Sequence, residues 1–245
     1  MALFVDGPAS TAGDLAKLDG GLLDAAAAHD IDVTARLKMA HESVQADLHL
    51  WIERLGGVRL EQIVMTETLR TYEATQALAF VYRDAYFSDL AERYRVRWDE
   101  YSRRARDAYE RFLAGGLSLV NDPVRKAAPP VLGIVNGPQA GGSFYASVAW
   151  VNAAGNQGEA SDPASLDVPD GRIMTVAAIT KPANAIGFNV FAGTVLGNLT
   201  RRNDVALPPD ASFLFIPGSP ASGPLAGRGQ APEFKRALHR VLLRG

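Results

Sequence analysis

Residues 127–135 have the sequence AAPPVLGIV, and the character of the chain changes at this stretch. Pro129 and Pro130 cannot continue a helix, and each proline favours an extended backbone in the residue before it. Before this stretch, apolar residues recur at helical spacing among many arginines and glutamates, whereas after it Gly, Pro, Asn and β-forming residues predominate. The sequence therefore predicts an α+β, multidomain chain in which a helical bundle precedes a β-sandwich and a short C-terminal helix follows.

The composition limits the chemistry that the chain can support. Its 245 residues, of which 47% are hydrophobic, suffice for one large domain or two modest ones, each able to bury a core. Because there is no cysteine, disulfides, thiolate metal sites and cysteine nucleophiles are excluded. The formal net charge of -2 gives no overall preference for nucleic acid. No apolar run approaches the ~18 residues of a membrane span, so we expect no membrane partner.

Apolar residues at steps of three and four predict the first two long helices. The first spans residues 33–55, with Asp32 or Thr34 as its N-cap and Gly56 at its end. The second spans roughly 66–87, and its middle segment, ALAFVY, is apolar on nearly all sides. Such a helix packs between other elements, so we expect it at the centre of the bundle.

The third predicted helix, residues 89–114, combines two patterns. Tyr94, Trp98 and Tyr101 belong to an apolar stripe that packs on the bundle. Outside that stripe lie pairs of opposite charge spaced four residues apart, namely Asp99/Arg103, Glu100/Arg104 and Asp107/Arg111. Arginines interleaved with aromatic residues are also typical of nucleic-acid binding. The acidic partners favour a core stripe beside a salt-paired surface, and nucleic-acid binding remains the alternative.

The sequence divides into four predicted segments. The first residues hold few large apolar side chains, so we expect a flexible arm, with an Ala-rich helix at about 22–29. Residues 127–130 and the Gly/Pro-rich residues 219–229 are predicted connections. The segments are an N-terminal arm at 1–30, a helical bundle for assembly at 31–128, a β-sandwich at 129–218, and a linker with a basic arm at 219–245.

The second half of the chain alternates short β-rich runs with turn residues, which is typical of a β-sandwich. The run from Phe144 to Trp150 places alternate apolar residues on one face, and Trp150 is the candidate core tryptophan. The predicted strands are 131–135, 143–151, 165–168, 173–180, 186–191 and 212–216.

Two strings in this half carry a resemblance. Residues 143–155, SFYASVAWVNAAG, and 186–193, IGFNVFAG, resemble strands of fibronectin type III and immunoglobulin-like modules. The similarity covers about residues 130–219 and implies an immunoglobulin-like β-sandwich. It is only weakly specific for function, because such sandwiches serve adhesion, spacing, decoration and sugar binding. The order of the strings departs from a standard single repeat, as in a permuted or edge-trimmed module.

The helical half is similar to the head-to-tail adaptor, or connector, proteins of tailed bacteriophages. The similarity covers about residues 31–123 and rests on helix order, on FVYRD at 80–84 and on GGLSLVNDP at 115–123. It implies a structural virion protein at the neck, made in the host cytoplasm and assembled into a homo-oligomeric, twelvefold ring. The implied partners are the portal protein and downstream tail or neck proteins, with passing contact with DNA. The alternative is a decoration or tail module that binds carbohydrate or a host surface.

The C-terminal segment predicts a basic amphipathic helix after Pro232. Three interpretations compete: the helix packs on its own chain, docks on a neighbouring subunit, or meets phosphate or membrane. Its shortness favours docking on protein. The candidate residues for docking on a subunit or the portal are Phe234, Lys235, Arg236, Leu238, Arg240, Val241, Leu242 and Arg244.

The sequence does not predict catalysis. His41 and His49 lie eight residues apart without a metal-binding spacing, and the Gly-rich stretches lack the lysine of a phosphate-binding loop. No nucleophile elbow is present. Aspartates in predicted loops do not match a calcium loop; they are Asp162, Asp167, Asp170 and Asp204. We therefore expect no catalytic residue, no cofactor and no metal, and a protein that is not an enzyme.

Overall fold

The computed structural model describes residues 1–218, 223–227 and 229–238. They form two compact units. The helical unit comprises Phe4–Val120 and the described residues from Pro232, and the β unit comprises Met1–Leu3 and Asn121–Ala231. In sequence the β unit is therefore an insertion into the helical unit, whereas we expected it to be appended.

The predicted linker at 127–130 is wrong. The β unit begins at Asn121, and Val124 and Ala127 are buried in its core. The described residues of 219–229 are not a bare connection either, since Leu225 forms a β-bridge with Thr200. Buried apolar side chains tie the first segment to the β unit, and the β-bridge ties the second. The local content of Pro and Gly does not reveal such contacts.

The described part of the helical unit contains five α-helices. They are α1 (Ala12–Leu18), α2 (Leu22–Ala28), α3 (Val33–Leu55), α4 (Glu67–Asp89) and α5 (Glu92–Gly115). The predicted ends of α3 are confirmed: the Asp32 carboxylate accepts hydrogen bonds from the Thr34 and Ala35 N–H groups, and Gly56 follows with a φ of +60°. Thr66 caps α4 by accepting from the Leu69 N–H.

The core of the helical unit forms around α4. Ala77, Leu78 and Val81 are fully buried, which confirms the central position predicted for this helix. The Ala-rich helix expected at about 22–29 is confirmed as α2, but the expected flexible arm is wrong, because Leu15 and Leu22 are also fully buried in the same cluster. Two helices of seven residues each are marginal alone, and packing of their apolar residues into this cluster stabilises them.

The β unit consists of two antiparallel sheets. Its strands are β2 (Val131–Asn136), β3 (Gly142–Asn152), β4 (Ala164–Val168), β5 (Arg172–Ala177), β6 (Ala185–Gly193), β7 (Thr200–Arg201) and β8 (Ser212–Phe215). One sheet has the order β2-β5-β8 and the other β4-β3-β6-β7. The predicted α+β class is thus confirmed. The six predicted strands are all present, and β7, only two residues long, was missed.

One apolar core joins the two sheets of the β unit. Trp150 of β3 is 1% exposed and meets Phe188 of β6 edge to face, with 5.8 Å between ring centroids. From the other sheet, Met174 and Val176 enter the same cluster. The predicted inward face of β3 is confirmed. Its second face is buried as well, because Ala149 belongs to a smaller cluster with Phe191 and Leu199.

A two-stranded antiparallel sheet closes the helical unit. It pairs β1 (Leu117–Leu119), directly after α5, with β9 (Phe234–Arg236), where the chain has returned from the β unit. The predicted C-terminal helix is therefore wrong at residues 234–236. Among the described residues, no helix combines the length and apolarity that crossing a membrane requires.

Candidate functional site

The predicted docking residues are only partly described. Phe234, Lys235 and Arg236 form β9, and Leu238 is buried at 7% exposure. Lys235 and Arg236 are exposed, whereas Phe234 is half-buried. Since residues 234–236 form a strand, the helical spacing in the sequence does not place these candidate residues on one face of a helix. The remaining candidates, Arg240, Val241, Leu242 and Arg244, lie outside the described residues.

Backbone hydrogen bonds fix β9 on β1. The Glu233 N–H donates to the Leu119 carbonyl at 2.9 Å, and Phe234 is paired with Leu119. Gly116 lies where α5 ends, with a φ of +73°, and a Cβ there would stand 2.5 Å from the Arg236 carbonyl oxygen. A side chain at this position would push the returning strand away, so the close approach requires glycine.

The aromatic residues of α5 belong to the core. Tyr94 and Tyr101 are buried and Trp98 is half-buried, as the core-stripe interpretation predicts. Of the three charge pairs, Glu100/Arg104 forms, with 2.5 Å between carboxylate and guanidinium. Arg111 instead donates from Nε to the Asp107 backbone carbonyl at 3.2 Å. Among the described residues, no ion pair joins Asp99 to Arg103.

A cavity of about 500 Å³ lies in the helical unit along one face of α4. From α4, the small side chain of Ala74 and the larger one of Leu78 line it. Leu18 lines it from α1 and Tyr101 from α5. The remaining lining residues are Ser10, Asp14, Lys17, Glu67, Arg70, Thr71, Thr75, Arg104 and Arg111.

Cations outnumber carboxylates around this cavity. Of the two carboxylates, Asp14 accepts a hydrogen bond from Lys17 Nζ at 3.0 Å. This bond and a second one from the Thr11 hydroxyl lower the pKa of Asp14 to about 2. Arg104 is held by Glu100 and lies over the Tyr101 ring. Two arginines of the lining, Arg70 and Arg111, form no ion pair within the described residues.

A buried carboxylate joins the N-terminal helices to α4 and α5. Asp19 accepts hydrogen bonds from the Tyr82 hydroxyl at 2.8 Å, the Tyr101 hydroxyl at 2.9 Å and the Gly21 N–H at 2.9 Å. Burial by itself raises the pKa of Asp19, but these hydrogen bonds outweigh it and lower the pKa below its usual value. Burial and the bond to Asp19 raise the pKa of Tyr101 to about 12.

A second buried carboxylate anchors the start of the chain. Glu73 of α4 is 0% exposed and accepts the Ala9 N–H at 3.1 Å. Its other oxygen lies 3.3 Å from His41 Nδ1 on α3, and Phe4 stacks on the His41 ring at 4.2 Å. These contacts order the N-terminal segment. The composition of that segment gave no sign of them, because the partners come from α3 and α4.

The described residues contain no group of three His, Asp or Glu side chains placed to hold a metal ion. Three of the four aspartates that the sequence singled out have other partners, and one of them, Asp167, lies in β4 and not in a loop. Asp162 accepts from Lys126 Nζ at 2.7 Å, Asp167 from the Ser143 hydroxyl at 2.5 Å, and Asp170 from the Gly141 N–H at 2.6 Å. These bonds tie together segments of the β unit that are distant in sequence.

An apolar patch lies at the tip of the α4–α5 hairpin, which we call the hairpin-tip patch (Phe87, Leu90 and Trp98). Phe87 is 62% and Leu90 67% exposed, and the rings of Phe87 and Trp98 lie 5.7 Å apart. Leu90 ends α4 in the left-handed region, with a φ of +52°. Glycine or asparagine is usual at such a position.

No protein-family model, curated protein or solved structure matches the chain significantly. Functional argument therefore depends on the residues and geometry of this chain.

Proposed function

We propose that the chain is a structural assembly protein that forms a homo-oligomeric ring, and that it acts as a connector at the head-to-tail junction of a tailed phage. The observation that carries the assembly role is the hairpin-tip patch. Large apolar side chains at a protruding helix turn are typical of protein–protein contacts, where aromatic residues at the centre supply most of the affinity.

The conformation of Leu90 strengthens this argument. A branched, bulky residue at a positive φ is strained, and an exposed leucine at 67% recovers little of that cost by burial. Glycine would relieve the strain and remove the exposed apolar surface. A contact that buries Leu90 against another subunit would account for a leucine at this position.

The ring and its place in the virion rest on the similarity of the helical half to phage adaptors. In that setting the proposed partners are the portal protein on one side and tail or neck proteins on the other, with passing contact with DNA. The predicted docking residues of the C-terminal segment, of which Lys235 and Arg236 are exposed, remain the proposed contacts for a subunit or the portal.

We also propose that the β unit is an immunoglobulin-like sandwich. Its described residues form seven strands in two antiparallel sheets, with a buried tryptophan, Trp150, on a central strand. The absence of cysteine excludes the disulfide of antibody domains, as in the fibronectin type III modules that the sequence resembles. In the connector this unit would serve as a decoration or spacer.

The direct test is the mass and shape of the purified protein. Light scattering should give a multiple of the 26.2 kDa chain, and electron microscopy should show rings. Leu90→Gly should reduce the assembly while leaving the thermal stability of the subunit unchanged or higher, because the strain at φ +52° is relieved. Because glycine inside α3 would itself cost about 1 kcal/mol of stability, the control at another exposed leucine is Leu50→Ser.

A chain that stays monomeric at high concentration contradicts self-assembly into a ring. The virion role has its own test: antibodies against the chain should label the neck of the phage particle. Rings without labelling of the neck would leave the assembly role standing and refute the connector role.

The alternative, a carbohydrate- or host-surface-binding module, needs exposed aromatic side chains in the β unit. Phe188, Phe191 and Phe215 are buried there, and Tyr145 and Phe213 are half-buried. These positions favour core packing over sugar stacking. Binding on a glycan array would revive this alternative.

A further inference from the structure

We propose that the cavity along α4 binds an amphipathic organic anion, a carboxylate or phosphate monoester on an alkyl or aryl body. This inference goes beyond the connector role and does not depend on it. The cavity of about 500 Å³ is within the range of small-molecule sites, which extends from roughly 300 to 1,000 Å³.

Arg70 on α4 and Arg111 on α5 line one end of the cavity together with the carboxylate of Glu67. Within the described residues, neither arginine forms an ion pair with Glu67, and the buried Nε of Arg70 has no hydrogen-bond partner. A buried unpaired donor is costly. Arg111 uses its Nε on a backbone carbonyl and forms no ion pair within the described residues. An anionic oxygen between the two guanidinium groups would satisfy both.

Leu18, Leu78 and Tyr101 supply apolar surface to the rest of the cavity lining. Arg104 also lies on this side, over the Tyr101 ring. Leu18 is 59% exposed although it lines a concave surface, so an apolar ligand body would remove it from water. Because α4 rises ~1.5 Å per residue, the positions of Arg70 and Leu78 are about 12 Å apart along the helix axis.

The other two cationic side chains of the cavity lining already have carboxylate partners, so they are not part of the proposed anion site. Lys17 is paired with Asp14, and Arg104 with Glu100. The anion is therefore assigned to the Arg70/Arg111 end, and its apolar body to the Leu18/Tyr101 end. An anion alone or an apolar molecule alone would fill only half of the cavity.

The test compares probes that separate the two requirements. Octanoate and octyl phosphate carry an anion on an alkyl body, octanol lacks the anion, and acetate and inorganic phosphate lack the body. Titration calorimetry and thermal unfolding should show binding and a raised Tm for octanoate or octyl phosphate, and at least tenfold weaker binding for the other three. Octanoate and octyl phosphate together distinguish a carboxylate site from a phosphate site.

Substitutions locate the site. Arg70→Gln and Arg111→Gln should each weaken binding about tenfold or more, as expected when a hydrogen bond to a charged group is lost. Arg103→Gln, another exposed arginine of α5 that does not line the cavity, is the matched control and should bind normally. Leu18→Ser should weaken binding several-fold, with the exposed Leu50→Ser as its control.

Several results would overturn the proposal. They are no binding of either amphipathic anion, equal binding of octanol, or binding that survives both Arg70→Gln and Arg111→Gln. If Arg70→Gln fails to fold, Arg70→Lys keeps the charge without Nε and should give intermediate affinity. Leu90→Gly should leave this binding unchanged, so a failure here is distinguishable from a failure of the assembly role.

Discussion

The helical unit and the β unit both bury polar side chains, but of different kinds. In the helical unit, three of the buried polar residues are ionisable: Asp19, His41 and Glu73. In the β unit, the buried polar residues are hydroxyls and amides, namely Ser147, Asn152, Ser161, Asn189, Asn203 and Gln230. The contrast follows from the hydrogen-bond partners that each kind of buried side chain connects.

A side-chain amide both donates and accepts hydrogen bonds. It can therefore bind backbone groups that have no partner in a neighbouring strand, without introducing a charge. Asn203 accepts the Val190 N–H at 2.7 Å and donates to the Val205 carbonyl at 2.8 Å. The carboxylates of the helical unit instead gather donors from separate segments, as Asp19 does with Tyr82 and Tyr101. We therefore expect the pH dependence of stability to lie mainly in the helical unit, and the β unit to depend mainly on apolar packing.

The largest expected effect tests the apolar core of the β unit. Trp150→Ala should lower the free energy of unfolding by about 4 kcal/mol, because a buried tryptophan leaves a large cavity. Denaturant unfolding measures the loss, and amide hydrogen exchange should localise it to β3 and β6. Val205→Ala, at a side chain 79% exposed, should change stability by less than about 0.5 kcal/mol. A similar effect for both variants would contradict the described core.

The next effect tests the buried carboxylates of the helical unit. Glu73→Ala should cost about 3 kcal/mol, because the Ala9 N–H and His41 lose their partner in the interior. Glu73→Gln converts the site to the amide kind that the β unit uses and should cost less, since one acceptor oxygen remains. Chemical denaturation followed by far-UV circular dichroism compares the two. Equal losses of stability in Glu73→Ala and Glu73→Gln would contradict the role of Glu73 as a hydrogen-bond acceptor.

A smaller effect tests the return of the chain from the β unit to the helical unit. Gly116→Ala should cost about 2 kcal/mol and Gly56→Ala about 1 kcal/mol in thermal unfolding. Both glycines have a positive φ, but a Cβ at residue 56 meets open space, whereas one at residue 116 meets the Arg236 carbonyl. If the two variants lose equal stability, β9 is not held closely against β1.

The smallest effect concerns pH. Since the pKa of Asp19 is lowered from 3.8, its contribution is fully present above pH 3.8 and is lost as the pH falls below that value. Asp19→Asn should cost about 1 kcal/mol at neutral pH and reduce the acid sensitivity. Thermal unfolding across acidic pH measures both. An unchanged acid profile in Asp19→Asn would contradict this role.

At alkaline pH, the dependence of stability on pH has the opposite sign. The raised pKa of Tyr101, about 12 against a usual 10.0, means that its contribution is present below pH 10.0 and is lost as the pH rises toward 12. The buried amides of the β unit do not titrate in either range. Hydrogen exchange at acidic and alkaline pH should therefore show larger changes in α4 and α5 than in β3 and β6.

Periodicity predicted the long elements because a long element repeats its burial pattern many times. The three helices α3, α4 and α5 and the strand β3 are of this kind, and their predicted extents agree with the structure within a few residues. In contrast, β7 and β9 have two and three residues, which is too short for any period. Phe234–Arg236 therefore fitted a helix until its pairing with β1 was known.

The cavity was less accessible to sequence reasoning than the fold. Tyr101, Arg104 and Arg111 were noted only as parts of the pattern of α5, and nothing distinguished Leu18 or Arg70 from other surface residues. These residues line one cavity because α1, α4 and α5 all contribute side chains to it. No pattern within a single helix shows which helices will be neighbours.

The α+β class, the caps of α3 and the inward face of β3 could all be inferred from the sequence, because they depend on backbone propensity and on burial that repeats along one element. Other features became visible only in the folded chain: the insertion of the β unit between β1 and β9, the anchoring of the N-terminal helices by Asp19 and Glu73, and the cavity beside Arg70. These features join residues far apart in the chain, and the relative free energies of such contacts, which no local spacing shows, decide which of them form.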